Sequence, residues 1–182
     1  MQGFDADTSL QYIKVDLGHR NGNFDLSSKD RFYLDMKALH HLNYQYIVPY
    51  VFELEQDHSD IQNIQSTYPN LKFLATNIIS KDDVAFESFA VHQVGNIKIG
   101  LLGLVDPNMN LKLPFKALEN IEIKPLVASV QSALDSLMIR EVDAVIAFSN
   151  MSVADNAILA EEVQGIQVIA SCLLYTSDAA DD

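Results

Sequence analysis

Apolar residues recur along this chain at two periods that take turns. Residues 10–18 (LQYIKVDLG) read as a short strand closing on Gly18, and the polar HRNGNFDLSS after them carries the Asn-Gly punctuation of a turn. Ser27 or Ser28 caps a predicted helix in which Phe32, Met36, Leu39 and Leu42 fall at helical spacing. Residues 44–52 (YQYIVPYVF) are apolar and rich in β-formers. A helix carrying Ile61 and Ile64 is expected over 53–68, stopped by Pro69-Asn70, and a third strand over 71–79. Two β-rich runs then flank Gly95-Asn96, which predicts a tight hairpin. Further on, Val127, Val130, Leu134 and Leu137 mark a helix, 142–148 a strand, 152–163 a helix and 165–171 a strand. Strands alternating with helices, plus one antiparallel hairpin, predict an α/β domain with a mixed sheet, and no repeat or boundary divides it.

Composition narrows the class. With 182 residues and 48% apolar content, the chain is an ordinary globular sequence. Its formal charge of −13 argues against nucleic acid or an anionic membrane as partner, because phosphate binding needs clustered Lys and Arg. No apolar run is long enough to span a bilayer, and the N-terminus lacks the pattern of a signal peptide. Cys172 is a single thiol, which gives neither a disulfide framework nor a cysteine metal cluster.

The order of features resembles a known family. VDLG closing a strand, LNYQYIVP after a helix, PNLKFLATNI, the hairpin VGNIKIGLLGLVDP and the stretch VDAVIAFSNMSVADNAILAEEVQGIQVIAS together look like the N-terminal catalytic domain of the 5'-nucleotidase branch of the calcineurin-like metallophosphoesterases. The last stretch is the most specific. There Asp143, Ile146, Ser149, Asp155, Leu159, Ala160, Gly165, Ile166 and Ile169 fall where the family pattern places them. The resemblance implies a metallophosphoesterase-type four-layer αββα sandwich with mixed sheets, here truncated at both ends, and commonly an extracytoplasmic location. It also implies two divalent metal ions that bridge a hydroxide and neutralise phosphate oxygens.

The family delivers its metal ligands on five motifs, and this chain departs from them. Its initial D-x-H belongs upstream of the matched region, and Asp5 to Asp7 does not replace it. D-A-G-D aligns with Asp16-Leu17-Gly18-His19, which puts His19 at the bridging aspartate. G-N-H-E aligns with Tyr50, Val51, Phe52 and Glu53, which leaves two side chains without a donor atom. L-S-H aligns with Phe148-Ser149-Asn150, exchanging a histidine for an amide that binds transition metals poorly. The final G-H-x-H would begin after Ser171. At the family-equivalent positions His19, Val51, Phe52 and Asn150 no ligand set is therefore intact, no catalytic residue is assigned, and no metal cofactor is expected for this fragment.

Among other candidates, His19 reads as a solvent-exposed loop histidine in preference to a single-metal remnant. His40 and His41 point about 100° apart on a helix and do not share an ion. His58 and His92 default to surface positions, and Ser152 reads as a helix cap in preference to the last residue of an Asn150 sequon. The favoured function is a binding or scaffold module without a competent dinuclear site. Alternatives are an active metal-dependent phosphatase or nucleotidase with unusual ligands, and a structural domain of a larger extracytoplasmic protein; the partner and ligand stay open. The closing CLLYTSDAADD fits neither structural period and resembles the translation of a transposase adapter from a sequencing library, as found in metagenomic assemblies. Residues 1–171 are accordingly read as the partial domain and 172–182 as a non-native tail, without whose three aspartates the charge is still −10.

Overall fold

The computed structural model describes residues 12–18, 27–82, 84 and 86–171. His19, the Asn-Gly turn after it and the 172–182 tail with Cys172 lie outside the described residues. The elements are β1 (Val15–Asp16), α1 (Ser28–His41), β2 (Tyr46–Ile47), α2 (Val51–Leu54), α3 (His58–Thr67), β3 (Lys72–Leu74), β4 (Ile78–Ser80), β5 (Phe86–Glu87), β6 (Ala90–Val94) and β7 (Ile97–Leu104). A 3-10 turn (Pro107–Leu111), α4 (Phe115–Asn120), β8 (Ile121–Ile123), α5 (Leu126–Ile139), β9 (Ala144–Ser149), α6 (Val153–Glu162) and β10 (Val168–Ser171) complete it.

Two four-stranded sheets and a small third one result, in the orders β1-β2-β3-β5, β10-β9-β7-β6 and β4-β8. The first sheet is parallel throughout its described pairings, so of the two large sheets only the second is mixed, through the antiparallel β6–β7 hairpin. That hairpin closes between Val94 and Ile97, with Gly95 at φ +59°, as a two-residue loop with glycine first requires.

The period of two along each strand assigns the layers. Ile47 and Phe73 point to α1 and α3, where they meet Phe32, Met36, Leu39, Ile61 and Ile64. Tyr46 and Leu74, their neighbours, point the other way and meet Leu101, Ile146 and Phe148 of the second sheet. Leu102, Val145 and Ala147 turn from that interface to Val130, Leu134 and Leu137 of α5 and Leu159 of α6. The layers are therefore helix, sheet, sheet, helix.

Three expected elements are cut short for local reasons. The strand over 44–52 stops at Ile47, because Pro49 has no N–H to extend the ladder and Glu53 Oε2 accepts from Tyr50 N at 3.0 Å, starting α2. The helix over 53–68 is two helices, separated where Gln56 Nε2 donates to Phe52 O at 2.7 Å and to Ser28 Oγ at 3.1 Å. The strand over 71–79 breaks at Thr76-Asn77, whose side chains turn to β7 instead. Residues 107–123, where no period is visible, form the 3-10 turn, α4 and β8; β8 pairs antiparallel with β4.

Candidate functional site

The loops after β2 and β9, to which the metallophosphoesterase resemblance assigns ligand motifs, meet the loop after β7. Asn150 follows β9 and is 1% exposed. Its Nδ2 donates to Pro49 O at 2.9 Å, and its Oδ1 accepts from Asp106 N at 3.0 Å. The amide thus ties the loops after β2 and β7 to β9. Asp106 in turn caps the 3-10 turn, Oδ1 accepting from Asn108 N at 2.8 Å, while its Oδ2 lies 3.1 Å from Lys112 Nζ. That ammonium donates to Tyr50 OH at 3.4 Å and lies 5.6 Å from the centre of the Tyr50 ring. The Asp106 carboxylate, aided by the Tyr50 hydroxyl, holds the Lys112 pKa above its ordinary value. Beneath these groups Val48, Ala75, Val105, Met109 and Leu113 form an apolar cluster that Leu17, Tyr50, Val51 and Phe148 also join.

The remaining positions singled out in the sequence have structural partners. Phe52 packs edge-on against Phe32, with ring centroids 6.4 Å apart, and the Arg31 guanidinium sits 4.7 Å from its ring centre. Val51 joins the apolar cluster at the strand ends. Glu53 is buried and serves as the helix-start acceptor already described. Asp16 Oδ2 accepts from Gly18 N at 3.4 Å, and His19 lies outside the described residues. Ser152 caps α6 by accepting from Asp155 N at 3.1 Å, and the burial of Asn150 removes it as a glycan acceptor in the folded chain. Among the matched positions, Val51 and Phe52 carry no donor atom, and both polar atoms of the Asn150 side chain are bonded to backbone.

His40 stacks on Tyr68 at 4.6 Å between centroids, whereas His41 is exposed. His58, expected at the surface, is partly buried. Its side chain is 11% exposed and Nδ1 contacts Asp82 Oδ2, joining the start of α3 to the loop after β4. No sequence spacing links residues 24 apart, so the pair was not legible before folding. Burial pushes the Asp82 carboxyl upward, but bonds from Ser80 Oγ, Val84 N and His58 outweigh it and leave its pKa below the usual value. A depressed carboxyl contributes stability above its unfolded pKa, about 3.9, and loses it as pH falls toward the folded value. Asp82→Asn is therefore expected to lower the urea midpoint at neutral pH and to leave it less sensitive to acid between about pH 5 and 3. An acid dependence as steep as that of the parent would count against this.

No family model and no curated protein matches the sequence. Solved structures do. Sulfate thiohydrolase SoxB of Thermus thermophilus superposes with a TM-score of 0.75 over 87% of this chain and 29% of its own, at 21% identity. The fold is that of the 5'-nucleotidase-type metallophosphoesterases. A 5'-nucleotidase precursor, also from Thermus thermophilus, superposes at 0.66 over 78% of this chain and 28% of its own, at 20% identity. The calcineurin-like phosphoesterase YfkN of Bacillus subtilis gives 0.66 over 87% and 57%, at 17% identity. This metallophosphoesterase-fold chain thus spans less than a third of the first two structures.

Proposed function

We propose that this chain is part of a metallophosphoesterase-fold protein that acts as a binding or scaffold module without a competent dinuclear metal site. The observation that carries the reading is Asn150, whose amide is spent at both ends on the backbone of neighbouring loops. Val51 and Phe52 support it, since they are core-packing residues that can neither ligate a metal nor transfer a proton. The activities named for the similar structures, thiohydrolase and nucleotidase, belong to those proteins.

The purified protein is expected to show no hydrolysis of nucleoside monophosphates or of a generic phosphodiester above a buffer blank with Mn2+ or Zn2+ present. Metal-dependent turnover that disappears in His19→Ala would overturn the reading and favour an enzyme with unusual ligands.

A further inference from the structure

At the N-terminal ends of β2 and β3, opposite the loops that Asn150 ties together, lies a cavity of about 390 Å³, within the size range of small-molecule sites. His40, Asn43, Tyr44 and Tyr46 line it from α1 and the start of β2, and Asn70 and Lys72 from the start of β3. Both stretches lie inside the unbroken described segment 27–82.

The backbone of this wall is already committed. α1 stops with Asn43 in the left-handed region at φ +57°, and Leu42 N, Asn43 N and Tyr44 N all donate back to carbonyls of α1. Gln45 N donates to Lys14 O at 3.0 Å, and Lys72 N to Gln45 O at 2.9 Å, which joins the wall to the sheet. Several side chains are uncommitted. Among the described residues, the hydroxyls of Tyr44 and Tyr46 and the side-chain amides of Asn43 and Asn70 have no hydrogen-bond partner.

Tyr46 sets the strongest constraint. It is 7% exposed, and its ring packs with Leu74 and Leu101. Lys72, which lines the cavity, and Glu87 both act electrostatically on its hydroxyl, so the polar end of the phenol is what remains for the cavity. Burial, reinforced by the Glu87 carboxylate, pushes the pKa of this hydroxyl up and keeps it a donor. A polar group so deeply set and unmatched within the fold calls for a partner from outside.

The lining chemistry selects that partner. The Lys72 ammonium is paired with Glu87 at 2.7 Å, which leaves little attraction for an anion. Amides and phenols both donate and accept, as a ligand's hydroxyls do. Tyr44 and His40 add ring surface, and the imidazole is held in place by its stack on Tyr68. The face of an aromatic ring carries negative charge density and takes C–H groups well.

We propose that this cavity binds a neutral saccharide, whose hydroxyls meet the Asn43 and Asn70 amides, the Tyr46 hydroxyl and the remaining protons of Lys72, with its C–H face against the Tyr44 and His40 rings. The site is at the opposite strand ends from Asn150, so it goes beyond the proposed function and stands or fails without it.

Glucose, N-acetylglucosamine and the β-linked dimer of each are the probes, added to the full chain and followed by saturation-transfer NMR. Saturable binding of at least one is expected in the millimolar range, as a few hydrogen bonds in an open site give. Tyr46→Phe keeps the buried ring and removes only the hydroxyl, and Asn70→Ala trims an exposed side chain. Each is expected to weaken binding about threefold to tenfold with an unchanged denaturation midpoint, and the two together to abolish it. No saturable binding of any of these sugars, or binding unaltered in the combined variant, overturns the proposal. So does adenosine binding more tightly than every sugar and lost in the combined variant, because a flat aromatic ligand would then be the occupant.

Discussion

Gly103→Ala is expected to destabilise the fold by roughly 3 kcal/mol, at the upper end of what overpacking costs, and to lower Tm by some 6–12 °C. A methyl group at this position would overlap the Leu74 carbonyl oxygen, and backbone, unlike the far end of a side chain, has little room to give. This is where the two large sheets touch. Thr76 N donates to Gly103 O at 2.7 Å and Gly103 N donates to Thr76 Oγ1 at 3.1 Å. One residue on, Asn77 repeats the clasp with both backbone groups of Val105. Any shift that accommodates a methyl pulls on all four bonds. Gly95→Ala supplies the comparison, because nothing lies within 4 Å of the added methyl and only the positive φ resists it. That strain amounts to about 1–2 kcal/mol. Chemical denaturation of both variants checks the ordering, and equal losses would mean that the sheets do not depend on contact at Gly103.

The second large effect is expected at Asn150. Asn150→His restores the residue type that the 5'-nucleotidase pattern carries there, yet it is expected to cost roughly 2–4 kcal/mol and to add no metal affinity. Imidazole cannot offer a donor to Pro49 O and an acceptor to Asp106 N with amide geometry in a position that is 1% exposed. At least one backbone group is left unpaired in the interior. Denaturation midpoints measure the loss, and titration with Mn2+ by calorimetry measures binding. A variant as stable as the parent that binds Mn2+ where the parent does not would show the amide to be a simple replacement for a ligand, and would undo the structural role assigned to it.

The positions in the G-N-H-E match and the L-S-H match were legible as departures from a pattern, but their present roles were not. Nothing in the string Tyr50-Val51-Phe52-Glu53 says that Phe52 faces Phe32 on α1 or that Glu53 starts a four-residue helix. Lys112 had no signal at all. Its partners are Asp106, six residues back in the same segment after β7, and Tyr50, which follows β2 and lies 62 residues away. His58 and Asp82 likewise meet only because α3 and the loop after β4 are brought side by side.

By itself the sequence determined the long helices, the hairpin and the α/β class, because period 3.6, period 2 and a Gly-Asn turn are properties of neighbours along the chain. α1, α5, α6 and the β6–β7 hairpin stand where those patterns put them. Tertiary structure decided what happens at the strand ends. There the chain breaks residues 71–79 into two strands and 53–68 into two helices, since buried backbone groups at a sheet's end take whatever side chain the next layer presents, here Thr76, Asn77, Gln56 and Asn150. Those partners lie from 4 to 101 residues apart in sequence, and only folding makes the distant ones neighbours.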